Sequence, residues 1–159
     1  MTNVTSPAKA KKPSKNAKKT AARLVAAQLL YEHFLTQTPL DSLAHDYQAN
    51  RVENPIDEEG EDGLIPADMA VLSGVFKTLE AHFDMFASAV NKQFEKKDPE
   101  LLVKAILMAG AAELFTAADK GIDAPIIIND YLNVTRAFFN EKEVGLVNAK
   151  LDIINKQFQ

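Results

Sequence analysis

Cysteine is absent from this 159-residue chain, so neither a disulfide framework nor a thiolate metal site can form. The absence suits a reducing compartment, and the cytoplasm is the simplest placement. No apolar run approaches the roughly 20 residues that a membrane-spanning helix needs, and the amino terminus lacks the apolar stretch of a secretory signal. We therefore expect a protein that is neither exported nor embedded in a membrane.

Recognisable catalytic and metal-binding patterns are missing as well. His33, His45 and His82 are scattered, and no Glu-x-x-His or His-x-x-x-His pair occurs, so a metal site within a helical bundle is not expected. The chain has six glycines but no G-x-x-x-x-G-K loop, no G-x-G-x-x-G turn and no G-x-S-x-G nucleophile elbow. These absences predict a binding protein without a cofactor rather than an enzyme.

Acidic residues are lacking from the first part of the chain. Residues 1–19 hold six of the 18 basic residues and none of the 22 acidic ones. The rest of this segment is mainly Ala, Ser and Pro, which predicts a disordered tail. Clustered lysines are all that phosphate contacts require, so the tail could contact a polyanion; a tail that only adds solubility fits the composition equally well. The six are Lys9, Lys11, Lys12, Lys15, Lys18 and Lys19.

Apolar residues at helical spacing follow this tail and predict a helical domain over residues 20–159. Thr20 is a suitable N-cap for a first helix that ends near Gln37, and Thr38 or Pro39 begins a short second helix. Residues 51–65 contain six acidic residues with Pro55, Gly60 and Gly63, which predicts a solvated acidic loop.

Proline and glycine also mark the predicted helices of the second half. Pro66 is placed as the first residue of one helix, Asp98 and Pro99 as the cap and first residue of another, and Gly121 as a C-cap. The β-branched residues 126–128 could form a strand, but their neighbours extend the helical period and no partner strand is predicted elsewhere. We therefore predict an all-α fold, and the pattern is compatible with two packed three-helix sub-bundles.

Five short motifs occur in order from residue 20 onward. They are ARLVAAQLLY over residues 22–31, Gly74-Val75, Lys104-Ala105-Ile106-Leu107 with Glu113-Leu114, Ile128-Asn129, and Val147-Asn148-x-x-Leu151-Asp152. Together these motifs resemble the NusB family of bacterial transcription antitermination factors. The most informative stretch is Ala124 to Gln159, where two predicted helices carry the family's carboxy-terminal signature.

The resemblance implies an all-helical fold of two three-helix bundles and a role in transcription regulation. A member of this family is expected to bind the boxA element of nascent RNA together with the ribosomal protein NusE, as part of the RNA polymerase antitermination complex. Members of the family also form homodimers, and the sequence leaves the oligomeric state open.

The resemblance also indicates candidate RNA-binding residues. Arg23 matches an arginine of the basic first-helix motif, Lys19 matches a further basic position, and Lys15 and Lys18 could replace the charge of family arginines that are absent here. Gln28 and Tyr31 match family residues, although Tyr31 falls on the core stripe, which favours packing. Asn148 is either a polar contact or a buried hydrogen-bonding residue. The candidates are Lys15, Lys18, Lys19, Arg23, Gln28, Tyr31 and Asn148.

Departures from the family pattern keep other functions open. Leu146 stands where the family has a phenylalanine, so an aromatic surface for base stacking is lost, and Lys142 occupies a commonly acidic position. The main alternative is a helical protein-interaction adaptor with weak or no RNA binding. A third alternative, the targeting domain of an RNA methyltransferase, is less expected because the chain ends at Gln159 without a catalytic region.

Overall fold

The computed structural model describes residues 14–53 and 65–159, and within these ranges the chain forms seven α-helices and no strand. The prediction of an all-α fold is therefore confirmed, including a helical conformation for residues 126–128. The helices are α1 (Lys15–Thr36), α2 (Leu40–Glu53), α3 (Met69–Ala81), α4 (Phe83–Asn91), α5 (Leu101–Ala117), α6 (Ala124–Phe138) and α7 (Glu141–Gln157).

Helix α1 begins earlier than the sequence suggested. Ser14 is the N-cap, and its hydroxyl accepts a hydrogen bond from the Ala17 amide at 3.0 Å. The predicted cap at Thr20 is wrong, because the Thr20 hydroxyl lies within the helix and donates to the Asn16 carbonyl. Residues 15–19 of the predicted tail are helical, and residues 1–13 lie outside the described ranges.

The starts of α3 and α5 also differ from the predicted ones. Pro66 was predicted as the first residue of α3, but the helix begins at Met69. Its N-cap is Asp68, whose carboxylate accepts hydrogen bonds from the amides of Ala70 and Val71. At α5 the chain is still extended at Glu100, whose carbonyl accepts the Lys104 amide, so Asp98 and Pro99 do not start the helix. Most of the predicted acidic loop lies outside the described residues.

A turn closed by Gly121 ends α5, as predicted. Gly121 has a φ of 67°, in the left-handed region that glycine adopts without strain. The Gly121 amide donates to the Ala118 carbonyl, and the Ile122 amide donates to the Ala117 carbonyl. This pair of hydrogen bonds is the Schellman motif that commonly ends helices, and it leads the chain towards α6.

The helices form two groups of three, in agreement with the predicted sub-bundles. Helices α1, α2 and α3 pack against one another, as do α5, α6 and α7, and α4 packs on α3, α5 and α7. Helix α5 also contacts α1 and α3, and it lies at the centre because almost all of its residues from Val103 to Ala112 are buried. No helix of the described ranges is long and apolar enough to cross a membrane.

An aromatic cluster joins the end of the chain to this core. The ring of Phe158, just after α7, lies 5.4 Å from the ring of Phe115 and 6.1 Å from that of Phe86, in edge-to-face arrangements. Such arrangements are favourable beyond the area that they bury. The cluster therefore fixes α7 against α4 and α5.

Candidate nucleic-acid interface

Three of the predicted RNA-binding lysines lie on the first turns of α1. Lys15 and Lys19 are exposed and Lys18 is half-buried. Residues three and four apart share one side of a helix, so the three ammonium groups emerge close together. The Lys18 carbonyl accepts a hydrogen bond from the Asp68 amide at 3.0 Å, which fastens this part of α1 to the start of α3.

A small cavity of about 110 Å³ lies beside these lysines, between α1, α3 and α5. Lys19 and Lys120 both line it, and Arg23 and Glu113 form part of its wall. Lys120 lies in the turn after α5. It is distant from α1 in the sequence, and the packing of α5 against α1 brings it close to Lys19. The sequence offered no signal for this lysine except its place in an exposed polar turn.

Arg23, the fourth predicted basic residue, is buried, with 4 % of its surface exposed. Its Nε and Nη2 atoms donate to the two carboxylate oxygens of Glu113 at 2.8 and 2.9 Å, and its Nη1 atom donates to Asp130 at 2.9 Å. The Tyr131 hydroxyl donates to Glu113 at 2.8 Å. We call these four residues the Arg23 cluster.

The acids of the Arg23 cluster interact unequally with Arg23. Burial works to lower the pKa of Arg23, but the hydrogen bond and charge of Glu113 outweigh it, so the pKa is raised. The pKa of Asp130 is raised, chiefly by burial and with help from the negative charge of Glu113, although the positive charges of Arg23 and Lys19 act to lower it. Burial, followed by the negative charge of Glu113, raises the pKa of Tyr131 well above its usual value. Glu113 is therefore the main counter-ion of Arg23.

The prediction that Arg23 binds phosphate stays a prediction, and the structure adds a condition to it. Each side-chain nitrogen of Arg23 already donates to a carboxylate and the side chain is buried, so a phosphate must either reach one of the remaining N–H groups or displace a carboxylate. A signal for the cluster was present in the sequence, because Glu113 is the only acidic residue in the apolar helix α5. Its partner lies 90 residues away, beyond the reach of a local pattern.

The remaining candidates lie apart from the lysines. Gln28 is exposed on α1 about 14 Å along the helix axis from Lys19. Tyr31 is half-buried and packs against the core, as its place on the apolar stripe indicated. The seven candidates therefore do not form a single cluster.

Asn148 lines a groove between α6 and α7, together with Asn129 and Asp152. Asn148 is exposed, which excludes the alternative of a buried hydrogen-bonding residue. Three polar residues of the carboxy-terminal signature thus meet at the surface. Asp130, next to Asn129 on α6, contacts Arg23 of α1, whereas Asn129 lines the groove. The groove and α1 therefore lie on different sides of α6.

The surface formed by the α1 lysines and Lys120 is suited to binding anions. Exposed ammonium groups on a fixed helix can hold phosphates through charge and hydrogen bonds, without a reaction. In the described ranges no group of three or more His, Cys, Asp or Glu residues is arranged to hold a metal ion.

Comparisons with known proteins agree with this fold. The sequence model of the NusB family matches residues 20–156. The transcription antitermination protein NusB of Sphingopyxis alaskensis is 33% identical over 144 residues, which cover 87% of this chain and 92% of that protein. The protein of the same name from Rhizobium johnstonii is 32% identical over 154 residues, covering 94% and 93% of the two chains.

A solved structure of NusB from T. maritima superimposes on this fold with a TM-score of 0.63. The two sequences are 18% identical, and the superposition covers 87% of this chain and 90% of the other, so this comparison shows the fold alone. The match of the family model and the two relatives extends over the motifs from α1 to α7. The chain therefore belongs to the NusB family.

Proposed function

We propose that this protein binds boxA-type single-stranded RNA together with the ribosomal protein NusE, and that it acts as a transcription antitermination factor. The observation that carries the proposal is the group of Lys15, Lys18 and Lys19 on the first turns of α1, extended by Lys120. Their ammonium groups hold the phosphates, while exposed polar side chains such as Gln28 contact other parts of the RNA.

Two further observations support this role. The curated relatives are named transcription antitermination proteins, and this chain is similar to them over most of its length. The basic surface is also well fixed, because α1 is fastened to α3 through Lys18 and to α5 and α6 through Arg23. A preorganised surface loses less conformational entropy on binding. The proposal places the protein in the cytoplasm with RNA polymerase.

Within this proposal the Arg23 cluster positions α1, and the lysines make the phosphate contacts. Lysine ammonium groups at the surface can contact phosphates directly, whereas the guanidinium of Arg23 is buried and already paired with two carboxylates. Substitutions in the two groups should therefore have different effects. Loss of surface lysines should change RNA affinity, whereas loss of Arg23 should change stability.

The test is a titration of fluorescently labelled boxA RNA with and without NusE. The variant Lys15→Gln/Lys19→Gln is compared with Lys77→Gln/Lys142→Gln, which removes two exposed lysines from α3 and α7. We expect the α1 variant to bind RNA roughly three- to tenfold more weakly, with a smaller salt dependence, because two phosphate contacts are lost. The control variant should bind like the unaltered protein.

The adaptor alternative makes the opposite prediction. If NusE is captured but RNA binds neither the protein nor its complex with NusE at low salt, the protein is an interaction module without RNA affinity. Equal losses in the two double variants would show that only net charge matters, and the α1 lysines would then not be a site.

A further inference from the structure

A second cluster of lysines lies away from α1. The segment between α4 and α5 carries Lys92, Lys96 and Lys97, and Lys150 of α7 lines the same shallow groove. We call these four residues the lysine groove. The first three are exposed and Lys150 is half-buried. None of the four forms an ion pair with another described residue.

The lysine groove is built by the fold rather than by one stretch of sequence. The ammonium group of Lys150 lies 5.5 Å from the centre of the Phe94 ring, a cation–π distance that holds it beside the α4–α5 segment. Phe94 is itself half-buried against the core. Among the described residues that line the groove, Glu95 is the one acid.

The overall charge makes this clustering informative. After residue 19 the chain has 12 basic and 22 acidic residues, and four of those 12 line this groove. In a domain with an excess of acids, basic residues on the surface usually have acidic neighbours. A shallow groove in which the described lining residues include four lysines and one glutamate is therefore suited to a ligand that carries repeated negative charge.

The lysine groove and the α1 lysines lie at opposite ends of α5. Lys19 and Lys120 stand beside the carboxy-terminal part of α5, while Lys96 and Lys97 come shortly before its first residue, Leu101. Helix α5 has 17 residues and is thus about 25 Å long. A compact anion cannot reach both sites, whereas a nucleic-acid strand with a phosphate at every nucleotide can.

We propose that the lysine groove is a second phosphate-binding site for single-stranded RNA, which a strand reaches when it extends beyond the α1 lysines. This inference rests on the proposed function and adds to it the path of the RNA across the protein. The contacts are to the phosphate backbone, so they increase affinity without regard to sequence and weaken as salt is added.

The test compares Lys96→Gln/Lys97→Gln with the same control, Lys77→Gln/Lys142→Gln. Each is titrated with two labelled RNAs, a short one limited to the boxA element and a long one that extends about 16 nucleotides beyond it, the upper end of the site size of a single-strand-binding module. We expect the groove variant to bind the long RNA roughly three- to tenfold more weakly, with a salt slope smaller by about 1.4 for two lost contacts. Binding of the short RNA should not change.

Three results would overturn this inference. The groove variant could match the control on the long RNA, or it could lose the same affinity for both RNAs. Polyglutamate could also displace the long RNA from the groove as well as unlabelled RNA does, which would indicate an acidic protein partner. If short RNA still binds through Lys15 and Lys19 in these cases, the proposed function survives; if the unaltered protein binds neither RNA, both proposals fail.

Discussion

Replacing Arg23 by Ala should destabilise this protein strongly. The substitution leaves two carboxylates without their cation, and the side chains of Glu113 and Asp130 are only 11% and 10% exposed. Removing one partner of a buried ion pair costs roughly 3–5 kcal/mol. We expect about 3 kcal/mol, because Glu113 keeps its hydrogen bond from Tyr131 and both acids retain some contact with water.

Urea denaturation followed by circular dichroism measures this change. Lys19→Ala, one turn earlier and exposed, is the matched control and should stay within about 0.5 kcal/mol of the unaltered protein. Arg23→Lys should lie between the two, because an ammonium group cannot reproduce the paired hydrogen bonds of a guanidinium to Glu113. The reasoning is refuted if Arg23→Ala unfolds at the same urea concentration as the control.

A combined variant tests whether the unpaired charges cause this loss. Arg23→Met with Glu113→Leu, Asp130→Leu and Tyr131→Phe removes the whole set of charges together with the buried hydroxyl that donates to Glu113, and replacing a buried ion pair by apolar residues is often neutral or stabilising. We expect it to recover most of the stability that Arg23→Ala loses. No recovery relative to Arg23→Met alone would mean that the unpaired acids are not what destabilises the protein, because Met supplies the side-chain stem in both variants.

Three further predictions concern two helical glycines and the buried Tyr131. Gly74→Ala should stabilise α3 by roughly 0.5–1 kcal/mol, because the new methyl group meets no atom within 4 Å. Gly110→Ala should instead lower stability by about 1–3 kcal/mol, because its methyl group would lie 2.9 Å from a buried Leu151 methyl. The urea midpoints of the two variants should shift in opposite directions, and shifts in the same direction would contradict this reasoning. For Tyr131, whose pKa is held well above 10.0 in the folded state, the unfolded chain releases the proton first as pH rises. The free energy of unfolding should therefore fall above about pH 10, and Tyr131→Phe should lose this part of the pH dependence in urea titrations at neutral and alkaline pH.

The helical elements could be predicted from the sequence because their signals are local. Apolar residues at helical spacing marked the helices, and Gly121 marked the end of α5 because only a few residues tolerate its backbone conformation. Helix starts were predicted less well. The N-cap of α3 is Asp68, two residues after the predicted start at Pro66. The Asp68 amide donates to the Lys18 carbonyl, and no local sequence pattern contains such a tertiary contact.

What the sequence by itself determined is the class of the protein, an all-α member of the NusB family with a cluster of lysines in its first 19 residues. That Lys15, Lys18 and Lys19 belong to the first helix was shown only by the structure. Only the tertiary structure decided what the charged residues contact. Arg23 and Lys19 lie one turn apart in the same basic stretch, yet one pairs with acids 90 and 107 residues away while the other is exposed. Likewise Lys150 joins Lys96 and Lys97 only because α7 packs against α4. Spacing along a chain specifies which face of a helix a side chain occupies, but the partner of that face is set by packing.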